Sequence, residues 1–186
     1  MTPSSVLDFW FGTQAGAVRP EWFRKDAAFD DQIRQRFGAL VDQALGGPLG
    51  WGPAPDDRLA EILLLDQFPR NLFRGQARAF AGDARARALA LGLIDDGSHL
   101  ALPPVRRWFV YLPLEHAEDL PLQDRSVALH AALAAADPAF DDALDYARRH
   151  RDVVQRFGRF PHRNAALGRA DTTEEAAYLA QPGSGF

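Results

Sequence analysis

A chain of 186 residues, 47% hydrophobic and 25% charged, has the length and composition of one globular domain and not of a disordered polymer. Cysteine is absent, which excludes disulfides, thiol nucleophiles and cysteine-ligated zinc or iron–sulfur centres. The net charge of −4 gives no global attraction to nucleic acid, no apolar run approaches the roughly 18 residues of a membrane span, and Met1-Thr2-Pro3-Ser4 lacks the start of a signal peptide, so a cytoplasmic location is expected.

Helix signals recur along the chain and strand alternation does not. Ser4 is placed to cap a short helix through Phe11, stopped by Gly12. A longer helix is predicted from about Asp26 to Leu45 on the stripe Phe29, Ile33, Phe37, Leu40, Val41 and Ala44, ended by Gly46-Gly47-Pro48. After a loop around Trp51, Pro53 and Pro55, Asp56 or Asp57 starts a helix over 58–68. It is apolar nearly all round, hence central, and Pro69 is expected to break it. Asp83 caps a helix carrying Leu89, Ala90, Leu93 and Ile94, which stops near Gly97.

Pro103-Pro104 opens a segment through Asp119, with a kink or break expected at Pro113. Pro121 occupies a first-turn position of a helix to about Ala136. Asp137-Pro138 starts the last long helix, ended at Phe157 by Gly158. Thr172-x-x-Glu175 is a capping box for a short helix near 173–180, and the tail 181–186 is expected to fray. Seven or eight helices with short connections predict a single all-α domain over 1–186.

Three apolar stripes continue into ionisable residues. Leu59 and Ile62 lead to Asp66; Val105, Phe109 and Leu112 lead to His116, with Glu118 and Asp119 close behind; Phe140, Leu144, Ala147 and Val154 enclose His150. Such groups at core-facing positions need partners, from one another, the backbone, water or a ligand. Asp66 with Arg70, four residues apart, reads as an internal ion pair, a loop cap or part of a site. His150 reads as a satisfied core histidine or a catalyst. His116 among carboxylates reads as a structural link or a general base backed by Glu118 or Asp119, with a hydrolytic reaction the first to consider. His99 and His130 read as surface or incidental residues.

The stretch 148–169 holds seven arginines against one aspartate, a local balance of +6 that leaves −10 on the remainder. The dipole gives Arg156 a reason to stand at a helix C-terminus, but Arg159, His162 and Arg163 lie past that end. Guanidinium groups converging from a fixed turn suit a carboxylate or phosphate; equally, they can neutralise acidic helix surfaces such as 115–119. No metal or cofactor signature is found: there is no Gly-rich phosphate loop, no His-Glu-x-x-His and no paired Glu-x-x-His. Few aromatics interleave with the basic stretch, which disfavours nucleic acid as a partner.

Three strings carry a resemblance: Asp66-Gln-Phe-Pro-Arg-Asn-Leu-Phe-Arg-Gly75, Pro113-Leu-Glu-His-Ala-Glu-Asp119 with Gln123, and Phe157-Gly-Arg-Phe-Pro-His-Arg-Asn-Ala-Ala-Leu-Gly-Arg169. With Val6–Phe11 and Thr173-Glu-Glu175 they resemble, over nearly the whole chain, the bacterial family catalogued as domain of unknown function 924. Ala117 departs from the serine expected there. The resemblance implies stacked, tetratricopeptide-like helix hairpins and supplies no activity. Two readings follow. One is an interhelical pocket for a small anionic ligand, with Asp66, Arg70, Arg156, Arg159, His162 and Arg163 binding and His116, Glu118, Asp119 and His150 as candidate catalytic groups. The other is a scaffold for a protein or peptide partner without chemistry.

Overall fold

The computed structural model describes residues 1–12 and 18–185. Its α-helices are α1 (Pro3–Phe11), α2 (Ala27–Gly46), α3 (Pro55–Ile62), α4 (Phe68–Leu72), α5 (Asp83–Asp95), α6 (Pro104–Glu115), α7 (Leu120–Ala136), α8 (Asp141–Phe157), α9 (Asn164–Leu167) and α10 (Thr173–Leu179). The all-α expectation holds: no strand occurs among the described residues, and eight of these helices have seven residues or more. None is long and apolar enough to cross a membrane. The chain divides into two compact units, one of residues 1–74 and 78–113, the other of 75–77 and 114–186.

The first unit is organised by aromatic packing. Trp10 lies 5.3 Å from Phe68 and 5.7 Å from Phe109, and Phe9 stacks on Phe29 at 5.3 Å, ring centroid to centroid. Asp26 caps α2 by accepting from the N–H groups of Ala28 and Phe29, as its position suggested. The cap of α1 is Thr2, not Ser4, because Pro3 takes the first-turn position where a missing N–H costs nothing.

The expected break at Pro69 does not occur. A π-helical stretch, Leu63–Gln67, carries α3 into α4, and the N–H of Phe68 reaches back five residues to the Leu63 carbonyl. In a regular helix the Leu65 carbonyl would seek the N–H that Pro69 lacks; the widened turn relieves that clash. The backbone of Leu65 instead lies against Gly82, where a Cβ would stand 2.2 Å from its oxygen. Gly82 is also the cap residue of α5. Asp83, expected to be the cap, occupies the first turn with its carboxylate turned to Arg70.

In the second unit α7 and α8 form an antiparallel pair, since Asp124 near the start of α7 accepts from Arg151 late in α8. Val153, Val154 and Phe160 form a small apolar core, covered by Leu120, Phe157 and Tyr178. Asp119 caps α7, Gly158 ends α8 in the left-handed conformation, and the Thr172–Glu175 capping box is present. α6 runs on past Pro113 to Glu115 without a break, although Pro113 has no N–H to offer the Phe109 carbonyl. Turns of 3-10 helix at Pro138–Phe140 and Pro161–Arg163, with the four-residue α9, were not foreseen.

Candidate functional site

α6 ends at Glu115, and its last carbonyls would be orphaned there. Gln123, fully buried on α7, donates its amide to the carbonyl oxygens of both Glu115 (2.6 Å) and Ala117 (2.7 Å). This side-chain cap holds the turn that presents Glu115 and His116. The Glu115 carboxylate is buried between two imidazoles: Oε2 is 3.5 Å from Nε2 of His130, and Oε1 is 3.3 Å from Nδ1 of His150.

Both histidines pair Nδ1 with the carbonyl four residues back, at 2.9 Å in each case: His130 with Ser126 and His150 with Tyr146. A carbonyl only accepts, so Nδ1 carries the hydrogen in each ring and Nε2 presents the lone pair. Burial drives the His130 imidazole down to about 4 and holds His150 well below the ordinary range, with the nearby positive groups of His116, Arg163 and His162 adding to the second effect. Both rings are neutral at pH 7.

Phe160, fully buried, stands among two imidazoles and a guanidinium. His150 lies 5.5 Å from its ring centre, His162 lies 5.6 Å away, and the Arg163 guanidinium sits 4.5 Å over its face. The ring of His116 is 6.1 Å from that of His150. Arg163 is buried, whereas His116 and His162 are half-buried. The second unit therefore gathers four of the chain's five histidines into one cluster with a buried floor and a partly open rim. Within it Glu115, His116 and His150 each offer a ligand-type atom, all within 4.8 Å of one another.

The other sequence-derived candidates are accounted for differently. Asp119 is exposed and engaged as the cap of α7. Glu118 takes a two-pronged bond from Arg169 and a further one from the Phe160 N–H. Burial pushes its carboxyl up, but these bonds and the charges of Arg169 and Arg163 outweigh that and hold it below the usual range. The carboxylate that lies between the His130 and His150 imidazoles is that of Glu115. Arg156 pairs with Glu174, and Arg159 grips Glu175 through two nitrogens and bonds the Ala170 carbonyl. These bonds draw both guanidiniums onto α10.

Asp66 and Arg70 belong to the first unit. Asp66 is fully buried, bonded by Gln67 and 3.1 Å from Arg70, whose guanidinium is shared with Asp83. Burial disfavours the Arg70 charge, yet the two aspartates more than compensate and raise its pKa. Two open depressions of this unit are lined by Arg19, Glu21, Arg24 and Asp26, and by Arg34, Asp42 and Arg78.

His130 and His99 are the misplaced readings. His130 is fully buried, and His99 is buried with Nδ1 on the Leu93 carbonyl and its ring edge-on to Tyr111. The signal for His130 was present: Gln123, Ser126, His130 and Leu133 recur at helical spacing and form the buried face of α7. A search for apolar stripes passes over a stripe that is mostly polar.

The fold and site define an all-helical protein with a histidine-rich polar centre, and comparison places it among relatives. The family model described as bacterial protein of unknown function (DUF924) matches residues 6–183, and the chain belongs to that family. A solved structure of a protein of unknown function from Agrobacterium tumefaciens is similar at 41% identity, covering 96% of each chain with a TM-score of 0.77. No curated protein matches.

Proposed function

We propose that the second unit binds a small anionic ligand, a carboxylate or phosphate ester, at the rim formed by His116 and His162 above His150 and Arg163. The observation that carries this reading is the gathering of Arg163, His162 and His150 around the single ring of Phe160. These groups come from α8 and from the turn after it, so the fold brings them together. Two half-buried imidazoles at the rim give solvent access, which a purely structural network does not require. An arginine held by packing over an aromatic face is preorganised to meet an oxyanion.

The test is titration of the EDTA-treated full chain with inorganic phosphate and with acetate, read from the histidine ring resonances. Saturable shifts at His116 and His162 that weaken at least tenfold in His162→Gln support the reading. Unmoved resonances with both anions overturn it.

A second reading, a peptide-binding surface on tetratricopeptide-like hairpins, draws support from the antiparallel α7–α8 pair and the exposed Tyr146 on α8.

A further inference from the structure

We propose that Glu115, His116 and His150 form a mononuclear site for a divalent first-row transition metal, with at least one coordination position left for water or an anionic oxygen. The donor set is one carboxylate oxygen and two imidazole nitrogens, a combination that suits zinc, iron(II), cobalt(II) or manganese(II) more than calcium or magnesium. All three donor atoms lie within 4.8 Å of one another. Around a metal with bonds of about 2.1 Å, tetrahedral donors stand roughly 3.4 Å apart, so closure asks for shifts on the order of 1 Å.

Hydrogen bonds hold two of the three donors in place. Glu115 is fixed at its backbone by the Gln123 amide, and the His150 ring is anchored at Nδ1 by the Tyr146 carbonyl. His116 is half-buried and lies one residue past the end of α6. A main-chain carbonyl that fixes the ring orientation is the kind of outer-shell support that metal-bound histidines commonly have. Nε2 of His130 lies 3.5 Å from Oε2, the other oxygen of the Glu115 carboxylate. With three protein donors, a tetrahedral ion keeps an open position. The cationic neighbour Arg163 favours an anion there, and this last point alone rests on the anionic-ligand reading.

Motif searches miss this set because two of the donors are adjacent at a helix end and the third is distant in sequence. No helical ligand spacing is involved.

The test uses the full chain, stripped with EDTA, dialysed and titrated with Zn²⁺ alone in a phosphate-free buffer by calorimetry. Co²⁺ is used in parallel for its visible absorption. One equivalent of each metal should bind, with tetrahedral Co²⁺ bands, and His116→Gln should weaken binding at least tenfold while retaining the parent far-UV spectrum. Asp145→Asn, which removes an exposed carboxylate on α8 away from the site, should bind as the parent does. Absence of a saturable one-equivalent site overturns the proposal, as does equal weakening in both variants or none in His116→Gln. Because the metal titration contains no phosphate and the phosphate titration contains no metal, each proposal fails or stands on its own data.

Discussion

Arg169 grips Glu118 across 51 residues of sequence, with Nη1 on Oε2 at 2.7 Å and Nη2 on Oε1 at 2.8 Å. The same guanidinium reaches the carbonyl of Phe160 and the side chain of Asn164, while Glu118 accepts the Phe160 N–H. One ion pair thus clamps the turn that carries Phe160, His162 and Arg163. Parallel, charge-assisted bonds of this type are stronger than neutral ones and hold a fixed orientation.

Arg169→Ala should therefore destabilise the protein by about 2 kcal/mol, the range for hydrogen bonds to charged groups in a half-exposed setting. Arg169→Lys should recover only part of the loss, because an ammonium cannot bond both carboxylate oxygens and the carbonyl in one plane. Urea denaturation of the three proteins measures this; equal stability of the Lys and Ala variants would count against the bidentate clamp.

Gly82 and Gly92 should respond oppositely to the same substitution. A Cβ at Gly82 would collide with the Leu65 main chain, whereas one at Gly92, inside α5, meets nothing within 4 Å. Gly82→Ala should cost on the order of 2–3 kcal/mol as backbone segments are forced apart. Gly92→Ala should gain about 0.5–1 kcal/mol by restricting the unfolded chain and favouring helix. Thermal melts of the pair decide it, and a neutral Gly82→Ala would mean that the two segments are not in contact.

Gln123→Leu should cost about 1–3 kcal/mol, because it strips two buried carbonyl oxygens, those of Glu115 and Ala117, of their donor. An unchanged denaturation midpoint would show that other groups cap the end of α6.

The Glu175 carboxyl is held down to about 2, by the Arg159 guanidinium first and then by the Thr172 N–H. In the unfolded chain it returns to an ordinary value near 4.5. A folded pKa below the unfolded one means that this pair stabilises fully above about pH 4.5. Its contribution drains away as pH falls towards 2. Glu175→Gln should accordingly melt below the parent at pH 7, with the gap closing through that acid window. A constant gap from pH 7 to pH 2 would show that the ionisation of Glu175 is not involved.

Much of this was legible one helix at a time. Asp26, Gly158 and the Thr172–Glu175 box act locally, within a turn, so residue type and spacing suffice to read them. The stripes that ended on Asp66 and His150 correctly marked buried ionisable groups, because burial follows helical period. What escaped depends on tertiary structure. Arg169 could not be matched to Glu118, nor Arg159 to Glu175, since periodicity carries no information on which distant charges meet. His130 escaped because its helix face is polar and its other faces are rich in alanine and leucine, leaving no hydrophobic contrast to read. The continuation past Pro69 escaped because proline's cost to a regular helix disappears when the turn before it is widened.

That widened turn makes the first unit sensitive to chain length in a way composition would not reveal. Deleting one residue between Leu63 and Leu65 would restore ordinary winding, but every side chain downstream would rotate by about 100° about the axis. Arg70 would swing away from Asp83, and Pro69 would again face a carbonyl in need of a donor. A deletion that looks harmless by helix-forming tendency would therefore misalign the whole segment, while many substitutions on the exposed faces of α2 or α5 should pass unnoticed.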